Sequence, residues 1–365
     1  MGYEEEIKKP RIEINKLNEE IVEKIAQRVE VAKEVVKIKN KYGKSIFDKS
    51  REEKVLEQVK DLAIKYKISP ENIERIFKEI IALCKKVEED IEGKRLKVAF
   101  QGEKGAYSEE AIFQFFGNSV ETLPCKDLKE TFKSVEERKA DFAMVPVENS
   151  LEGSITQTYD LLLDSKLKVW GEINLKIIHC LIANPETKLE NVKRVYSHPQ
   201  ALGQCKYFLE KLKCELIPTY DTAGSVKMIK ENKLLDSAAI ASSRAAKIYG
   251  MKILLEGIED NSNNFTRFFV LSQKDYEPTG KDKTSIIFSL KHKPGTLFSA
   301  LKVFADKKIN LTKIESRPTR QNPWEYNFYL DFEGHREDKI CKEALEKLEE
   351  YAIFVKILGS YPKAK

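Results

Sequence analysis

The sequence predicts three consecutive domains of different fold class: all-α, then α/β, then α+β. Residues 4–92 contain two prolines and a single glycine, which is typical of long helices. From Leu96 onward, short apolar strands alternate with helical stretches, as in α/β domains. After a polar linker at 274–283 the order becomes strand, helix, strand, strand, helix, strand, which is typical of a ferredoxin-like unit. The expected domains are 1–93, 96–273 and 284–362.

The composition excludes several functional classes. The chain has 365 residues, 41% of them hydrophobic, which is enough for two or three packed domains. Its apolar runs are too short to span a bilayer, and its acidic start is unlike a signal peptide. The six cysteines and four histidines show no metal-binding spacing, so we expect a cytoplasmic protein with reduced thiols and no metal or cofactor. The net charge of +5 is diffuse and does not indicate nucleic-acid binding.

The first segment is predicted to form three helices. Gly43 ends the first helix, Asp48 or Ser50 can cap the second, and Pro70 opens the third. Their expected bounds are about 5–41, 50–66 and 70–91.

Two cations on the first helix lie where apolar side chains are expected. Arg28 and Lys39 are eleven residues apart, which returns them to within about 20° around the helix axis. They are either cations whose stems cover apolar surface or the walls of an anion site. Arg11 lies about 80–100° away on the same helix. A dimer of crossed long helices would bring Arg11 of one chain to the site of the other.

These positions resemble the helical chorismate mutase family over residues 5–92. The matching residues are Arg11, Arg28, Lys39, Asp48, Arg51, Glu52, Cys84 and Glu88. The resemblance implies an intertwined dimer in which the arginines grip the two carboxylates of chorismate. It also implies that Lys39 and residue 88 address the ether oxygen, while Asp48 and Glu52 hold the ring hydroxyl. The expected catalytic residues are Arg11, Arg28, Lys39 and Glu88, because a Claisen rearrangement needs positioning and charge stabilisation rather than a nucleophile.

Two of these positions depart from the family pattern. Cys84 stands where a small hydroxyl residue is usual, which weakens one carboxylate contact. Glu88 stands where glutamine is usual. A carboxylate would repel the ether oxygen, so Glu88 must be protonated to donate a hydrogen bond to it.

The Glu88 side chain leads to a prediction about pH. We expect mutase activity to fall as pH rises, because the protonated fraction of Glu88 falls. The variant Glu88→Gln should have a flatter profile, since an amide donates at every pH. Rates of chorismate rearrangement measured across the neutral range test this, and a variant as pH-dependent as the wild type would contradict it.

The middle segment has an alternating pattern for which we expect largely parallel pairing. The predicted strands are 96–100, 142–147, 169–170, 177–183, 192–197, 238–241 and 267–272. The predicted helices are 108–116, 126–138, 200–211, 223–231 and 243–249.

Three polar strings in this segment lie at strand ends or helix starts, where backbone N–H groups can bind anions. They are Val145–Ser154, Ser197–Cys205 and Asn264–Phe268, and Thr222 and Ser225 begin a further helix in the same style. Each string is ambiguous alone, since Ser197 could be a helix cap and residues 149–150 a plain turn. Together they predict a cleft lined by hydroxyls and amides that suits a small carboxylate.

These strings resemble prephenate dehydratase over residues 96–273. Gln101–Ser108 is similar to its first glycine loop, with Glu103 and Ala106 as departures, and Thr266-Arg267-Phe268 is similar to its signature triplet. The resemblance implies two α/β subdomains around a cleft, as in type 2 periplasmic binding proteins. It also implies that Thr266 helps hydroxide to leave as an oriented hydrogen-bond donor. Arg267 would brace the loop or a carboxylate. The candidate substrate-binding residues are Glu148, Asn149, Ser150, Ser197, Gln200, Thr222, Ser225, Thr266, Arg267 and Phe268.

The last segment resembles the amino-acid-binding ACT module. The strings that carry the resemblance are His292–Phe298 and Asn310–Pro318, and within the second string Glu315–Pro318 is the specific part. The resemblance implies that phenylalanine binds at a dimer interface and inhibits dehydration. The candidate residues are Gly295, Thr296, Leu297, Asn310, Leu311, Thr312, Glu315, Ser316 and Arg317. The alternative is a purely structural dimerisation module, because the fold alone does not decide function.

The order of the three resemblances is that of a bifunctional enzyme of phenylalanine biosynthesis. Such an enzyme converts chorismate to prephenate and then prephenate to phenylpyruvate. We expect a homodimer or larger homo-oligomer whose ligands are chorismate, prephenate and phenylalanine, with no nucleic-acid or membrane partner. Two alternatives stay open: arogenate dehydration in the middle domain, and a non-catalytic ligand sensor with a helical dimerisation segment.

Overall fold

The computed structural model describes residues 3–42, 48–92, 95–319 and 324–364, without the side chains of residues 40 and 88–92. The chain divides into two compact units. One holds the helical segment, and the other holds the α/β and α+β segments together. None of the described helices is both long and apolar enough to cross a membrane.

The helical unit consists of three helices, as predicted. They are α1 (Tyr3–Lys41), α2 (Lys49–Lys65) and α3 (Pro70–Glu92). The side chain of Asp48 caps α2 by accepting a hydrogen bond from the Arg51 amide at 2.9 Å, and Pro70 is the first residue of α3. The predicted helix end at Gly43 lies outside the described residues.

The two halves of α1 differ in what they bury. Val36, in the C-terminal half, is fully buried, together with Cys84 of α3. In the N-terminal half, Ile14, Leu17 and Ile21 are 55%, 50% and 57% exposed. At 1.5 Å per residue, α1 is about 58 Å long, more than twice the length of α2. The N-terminal half of α1 therefore presents an apolar stripe that the described residues of this chain do not cover.

The second unit begins with an α/β segment of eleven strands and seven α-helices in the described residues. In chain order these are β1 (Lys97–Gln101), α4 (Tyr107–Phe116), β2 (Glu121–Cys125), α5 (Leu128–Glu136), β3 (Phe142–Asn149), β4 (Gly153–Ser154), α6 (Thr156–Asp164), β5 (Lys168–Lys176), β6 (Cys180–Ala183), β7 (Arg194–Ser197), α7 (Pro199–Gln204), α8 (Lys206–Leu212), β8 (Glu215–Pro218), α9 (Thr222–Glu231), β9 (Ser237–Ala241), α10 (Ser243–Tyr249), β10 (Lys252–Glu256) and β11 (Phe265–Ser272).

These strands form two sheets, each the core of a subdomain. The first sheet has the order β2-β1-β3-β11-β5, with β4 paired to β3, and the second has the order β10-β6-β9-β7-β8. The chain passes between the sheets at residues 177–179 and again at 257–264. The two-subdomain arrangement implied by the resemblance is confirmed.

The pairing within the sheets differs from the expectation of largely parallel strands. β1 pairs in parallel with β2 and β3, and β7 with β8 and β9. β11 is antiparallel to β3 and β5, and β6 is antiparallel to β9 and β10. The expectation was therefore wrong for about half of the strand pairs. The reason is that a strand that follows a passage between sheets runs in the opposite direction to its neighbours. The sequence pattern also did not predict β2, β8 and β10, which are edge strands with several exposed residues and little alternation. The two-residue strand β4 and the helix α6 were not predicted either.

The C-terminal segment has the predicted ferredoxin-like order. Its elements are β12 (Asp282–Leu290), α11 (Thr296–Asp306), β13 (Leu311–Pro318), β14 (Tyr326–Glu333), α12 (Lys339–Glu349) and β15 (Ala352–Pro362). They form an antiparallel sheet in the order β13-β14-β12-β15.

Both faces of this sheet are used. One face packs against α11 and α12 through Phe288 and Phe332. On the other face, Ile287, Tyr329 and Leu358 belong to the same apolar core as strands of the first α/β subdomain. Because successive strand residues point to opposite faces, both cores can be filled from the same strands. The ferredoxin-like domain is thus fused to the first subdomain by a shared core.

Candidate functional site

The helical unit contains a cavity of about 260 Å³ between its three helices. Its lining combines charged and apolar residues. The lining residues are Arg28, Val31, Ala32, Val35, Lys39, Asp48, Arg51, Glu52, Val55, Ile81, Cys84 and Lys85. Six of the eight residues that the sequence singled out for this segment therefore lie around one cavity.

The charges of the cavity favour an anionic ligand. Arg28 Nη1 lies 2.9 Å from Cys84 Sγ, so the cysteine accepts a hydrogen bond from the guanidinium. Lys85 Nζ forms an ion pair with Glu52 Oε1 at 2.7 Å. Lys85, which directly follows Cys84, was not predicted from the sequence. Nothing in the sequence separates it from the many surface lysines, and only the fold places it at the cavity. Two arginines and two lysines surround the cavity, against two carboxylates.

Two predicted residues stand apart from this cavity. Arg11 is exposed on α1, and at 1.5 Å per residue it lies about 25 Å before Arg28 along the helix axis. It therefore cannot reach the cavity of its own chain. The side chain of Glu88 lies outside the described part of the structure, so its prediction is not tested by geometry.

In the α/β segment, Thr266 lies at the start of β11 beside the passage between the two subdomains. It pairs across the ladder with Asn149 at the end of β3. Asn149 Nδ2 lies 3.0 Å from Thr266 Oγ1 and 2.8 Å from Asn264 Oδ1. All three side chains are at least nine-tenths buried. The strand ends and the passage thus gather three polar side chains in a desolvated position.

The direction of these hydrogen bonds determines what Thr266 can do. Asn149 Oδ1 accepts from the amides of Leu151 and Glu152 at 3.0 and 3.1 Å, so its amide nitrogen must face Thr266. Thr266 Oγ1 is then an acceptor from Asn149. Because a hydroxyl also carries one donor, the proton of Thr266 stays available for another acceptor.

A hydrogen-bonded chain extends from this site into the second subdomain. Asn264 Nδ2 donates to Gln204 Oε1 at 2.8 Å, and His179 Nε2 lies 2.9 Å from the same oxygen. His179 Nδ1 lies 2.9 Å from the hydroxyl of Tyr107. Burial lowers the pKa of His179, which favours a neutral imidazole in this chain. Among the described residues, Gln204 Nε2 has no hydrogen-bond partner, so it is a donor left for a ligand or water.

The other predicted polar residues have distinct placements. Ser150 Oγ donates to Asn263 O at 2.8 Å, which ties the turn after β3 to the passage that carries Asn264. Ser197 is buried and donates to Ile240 O at 2.7 Å, whereas the cap of α7 is His198. Gln200 is exposed on the first turn of α7. The structure thus connects Gln204, which the sequence analysis did not select, to Thr266, and leaves Gln200 at the surface.

Two further predicted residues lie on the first turns of α9 in the second subdomain. Asp221 caps this helix by accepting from the Gly224 amide at 2.7 Å, and Thr222 is its first residue. Ser225 Oγ is buried and donates to Asp221 O at 2.8 Å. The Ser225 hydroxyl therefore stabilises the start of α9, where Asp221 lies against Gly102 of the first glycine loop.

The first glycine loop joins the two subdomains. Gly105 has φ +91°, and a Cβ there would lie 2.7 Å from the Cα of Ala245 on α10, so only glycine fits. Glu103, one of the departures from the family pattern, forms an ion pair with Lys227 of α9 at 3.2 Å. The departure at residue 103 therefore creates a contact across the subdomains.

The other members of the triplet are Arg267 and Phe268. Arg267 points away from the Thr266 hydroxyl, and Phe268 points into the core. Arg267 Nη1 lies 2.6 Å from Asp331 Oδ2 on β14, and its Nε donates to Glu172 Oε2 at 2.7 Å. Phe268 is 2% exposed within the sheet. Glu148, predicted to line the cleft, forms an ion pair with Lys313 of β13 at 3.0 Å. Arg267 and Glu148 thus form ion pairs with residues of the ferredoxin-like domain.

The ferredoxin-like domain has a cavity of about 90 Å³ beside its glycine loop. Gly295 begins α11 with φ +82°, and Thr296 and Leu297 line the cavity together with His292 and Tyr326. Asn310 and Leu311 lie at the start of β13. Asn310 is exposed and Leu311 is half-buried, and neither lines this cavity.

The predicted residues further along β13 contact the first α/β subdomain. Glu315 Oε2 accepts from Ser154 Oγ at 2.9 Å. Arg317 binds Asp160 through two nitrogens, with the shortest distance 2.9 Å. Ser316 lies between them and is exposed. Glu315 and Arg317 therefore contribute to the joint between the domains.

No group of three His, Cys, Asp or Glu side chains in the described ranges could hold a metal ion. All six cysteines are free thiols, five of them buried.

Comparison with known proteins supplies a family for each part of the chain. Residues 10–89 match the family of type II chorismate mutases, residues 98–276 match the prephenate dehydratase family, and residues 284–350 match the ACT domain.

Individual relatives extend these matches. The chain is 40% identical over 366 residues to the bifunctional chorismate mutase/prephenate dehydratase of Aquifex aeolicus, with 99% of each chain covered. It is 47% identical over 281 residues to arogenate dehydratase/prephenate dehydratase 2 of Arabidopsis thaliana, covering 74% of each. Among solved structures, it is similar to prephenate dehydratase in complex with L-Phe from Arthrobacter aurescens. That similarity has a TM-score of 0.68 and 33% identity and covers 73% of this chain and 90% of the other.

The family assignment follows from the agreement of these results. The three family matches occur in the order that the sequence motifs predicted, and a relative of the same domain composition aligns from end to end. The cavity of the helical unit and the buried surroundings of Thr266 lie within the matched regions. The chain belongs to the family of bifunctional chorismate mutase/prephenate dehydratases.

Proposed function

We propose that the helical unit rearranges chorismate to prephenate and that the α/β segment converts prephenate to phenylpyruvate. The observation that carries the proposal is the end-to-end similarity to a bifunctional enzyme, combined with a cationic cavity in the helical unit. Chorismate and prephenate are both dicarboxylates, so the same excess of cations suits substrate and product.

Incubation with chorismate tests this function directly. Prephenate should appear first and phenylpyruvate later, with no added cofactor. Phenylalanine should lower the rate at which phenylpyruvate forms. A protein that leaves chorismate unchanged, or that accumulates prephenate without consuming it, would contradict the corresponding half of the proposal.

In the mutase site, Arg28 and Arg51 would hold the carboxylates and Lys39 would stabilise the charge that appears on the ether oxygen. Asp48 and Glu52 would hold the ring hydroxyl. Cations that are already in place before the reaction stabilise such a charge without reorganisation, which is the main electrostatic source of rate enhancement. Glu88 would donate to the same oxygen in its protonated form.

The mutase site would be completed by a second copy of the chain. Arg11 lies about 25 Å along the helix from Arg28, and the apolar stripe around it is exposed. A dimer of crossed α1 helices would cover that stripe and bring Arg11 to the cavity of the other subunit. We therefore infer that the chain forms at least a homodimer. Burying Ile14 and Leu17 in the dimer stabilises it, because apolar side chains exposed to water are unfavourable.

Complementation between two inactive variants tests the shared site. Arg11→Ala and Arg28→Ala should each lose mutase activity. When both chains are refolded or coexpressed together, heterodimers should recover activity, because one of their two sites is intact. No recovery, with heterodimers isolated through a different affinity tag on each variant, would contradict a site shared between subunits.

In the dehydratase site, the free proton of Thr266 would be donated to the departing hydroxyl group of prephenate. The C–O bond and the bond to the ring carboxylate break, the electron pair of the latter moves into the ring, and carbon dioxide and water leave as the ring becomes aromatic. Solvent returns a proton to Thr266, so one proton is consumed in each turnover. Asn149 keeps the hydroxyl of Thr266 oriented for this role. Gln204, whose Nε2 donor has no partner in the described residues, is a candidate to bind a substrate oxygen.

Arogenate is the second candidate substrate for the α/β segment. The favouring observation is the 47% identity to a plant enzyme named as an arogenate dehydratase/prephenate dehydratase. We favour prephenate, because the relative that aligns over the whole chain has the mutase domain and is named for prephenate. The ratio of kcat/KM for the two substrates decides between them.

We also propose that phenylalanine binds the ferredoxin-like domain and inhibits dehydration, at Gly295–Leu297 and Asn310–Thr312. This is supported by the ACT match and by the phenylalanine complex of a similar structure. A non-catalytic sensor is disfavoured, because such a protein would not need the cations of the helical cavity. Six unpaired cysteines are consistent with a reducing, cytosolic location.

A further inference from the structure

Two charged pairs connect the ferredoxin-like domain to the strands that carry Thr266. Glu148 of β3 and Arg267 of β11 are opposite each other in one ladder, and Lys313 of β13 and Asp331 of β14 are opposite each other in another. Each residue of the first pair contacts a residue of opposite charge in the second pair. Arg267 Nη1 lies 2.6 Å from Asp331 Oδ2, and Lys313 Nζ lies 3.0 Å from Glu148 Oε1. We call these four residues the interdomain quartet.

Three members of the quartet are buried. The side chains of Arg267, Lys313 and Asp331 are 11%, 8% and 6% exposed, whereas that of Glu148 is 35% exposed. Arg267 also contacts Glu172, which in turn pairs with Lys283 at 3.0 Å. Every charge in the cluster has a partner of opposite sign. Charges in such a position tolerate little separation, because an unpaired charge in a poorly solvated site is costly. At this point the two domains must therefore move together.

On the dehydratase side, the quartet directly adjoins Thr266 and Asn149. Thr266 and Asn149 form the ladder position next to Arg267 and Glu148. Neighbouring strand residues point to opposite faces, so the Thr266 hydroxyl and the Arg267 guanidinium lie on opposite sides of one backbone. A displacement of Arg267 or Glu148 moves the peptide groups that hold Thr266 and Asn149.

On the regulatory side, the quartet directly adjoins the candidate phenylalanine residues. Lys313 follows Thr312 in β13, and Thr312 Oγ1 donates to the carbonyl of Asp331 at 3.4 Å. Lys313 Nζ also donates to Ser154 Oγ at 2.9 Å, which adds a neutral contact to the same joint. A ligand that repositions the start of β13 therefore acts on Lys313 and Asp331 together.

We propose that the interdomain quartet is the coupling element through which phenylalanine changes the placement of the Thr266 hydroxyl. Its four members are positioning residues that act through the strands on which they lie. The proposal rests on the proposed regulation by phenylalanine and specifies its route. Allosteric coupling requires two sites and an element whose arrangement both sites influence, and the quartet is shared by both domains.

The variant Lys313→Met tests this route, since it removes the charge and keeps most of the stem. Phenylalanine should still bind, with a Kd in calorimetry within about threefold of wild type. The ratio of dehydration rates without and with saturating phenylalanine should fall by at least about fivefold, the lower end of typical coupling. Lys313→Arg, which keeps a cation, should retain inhibition.

A matched control and a second variant complete the experiment. Lys302→Met removes an exposed ion pair with Asp306 on α11 and should leave inhibition unchanged. Glu148→Gln, at the other end of the Lys313 pair, should also weaken inhibition and serves if Lys313→Met fails to fold. Both substitutions break the same ion pair, so their effects should not add. Phenylalanine should therefore inhibit the double variant at least as strongly as it inhibits the less inhibited of the two single variants. The dehydration rate without phenylalanine reports that the second compact unit, which holds all three substituted positions, is folded.

The outcomes separate this proposal from the one it rests on. If phenylalanine inhibits wild type and Lys313→Met equally, the quartet is not the route, and regulation itself stands. If Lys313→Met no longer binds phenylalanine, the loss lies in the ligand site and the proposed route is overturned. If phenylalanine does not inhibit the wild type, both proposals are overturned.

Discussion

Replacing Thr266 with alanine is expected to lower the rate of prephenate dehydration by about 10²–10⁴-fold, the range typical of a positioned proton donor. The reason is the direction of its hydrogen bonds. Asn149 donates to Thr266 Oγ1, so the threonine proton is the one available to the departing hydroxyl. Steady-state kinetics on prephenate measure the effect, which should fall mainly on kcat because the donor acts in the transition state.

The fold should survive this substitution. In Thr266→Ala, Asn149 Nδ2 keeps Asn264 Oδ1 and the Phe265 carbonyl as acceptors at 2.8 and 3.2 Å. No buried donor is therefore left unpaired, which is the usual cause of severe destabilisation. Chorismate rearrangement by the same preparation provides an internal control. Thr266→Ser, which keeps a hydroxyl, should retain far more activity. Dehydration by Thr266→Ala within about threefold of wild type would refute the assigned role.

Replacing Lys39 with alanine should lower mutase kcat by about 10²–10³-fold, equivalent to about 2.7–4 kcal/mol of transition-state stabilisation. Lys39 lines the cavity of the helical unit together with Arg28 and Cys84. A cation aimed at the ether oxygen stabilises charge that exists only while the C–O bond breaks. Its removal should therefore lower kcat more than it raises KM.

A neighbouring lysine provides the matched control. Lys37 is two residues before Lys39 and is exposed on another side of α1, so Lys37→Ala removes the same charge outside the cavity. It should leave chorismate kinetics and dehydration unchanged. Lys39→Ala should also leave dehydration of added prephenate unchanged. Equal losses in both variants would mean that general electrostatics, rather than contact with the substrate, explains the effect.

The helical unit illustrates what a sequence reveals well. The scarcity of glycine and proline, together with Asp48 and Pro70 at helix starts, depends on interactions between neighbours in the chain, and all three helices were predicted. The position of Arg28 and Lys39 within an apolar stripe also follows from local helical periodicity. Lys85 was missed, because only the packing of α3 against the other helices brings it to the cavity.

The α/β segment shows where local reasoning ends. Its alternation of strands and helices was predicted, but about half of the strand pairs are antiparallel, since the direction of pairing depends on where the chain passes between sheets. Gln200 and Gln204 lie one helical turn apart in the same short helix. Nothing in their spacing distinguishes them, and only the approach of residue 264 from a distant part of the chain selects Gln204.

The sequence by itself determined the fold classes along the chain, their order and the family, because these depend on composition and short motifs. The tertiary structure decided which side chains act together. It orients the Thr266 hydroxyl through Asn149, and it directs Arg267 and Glu148 towards Asp331 and Lys313. These contacts join residues that are far apart in the chain. Their energies depend on how deeply the residues are buried, and a local sequence pattern does not indicate this.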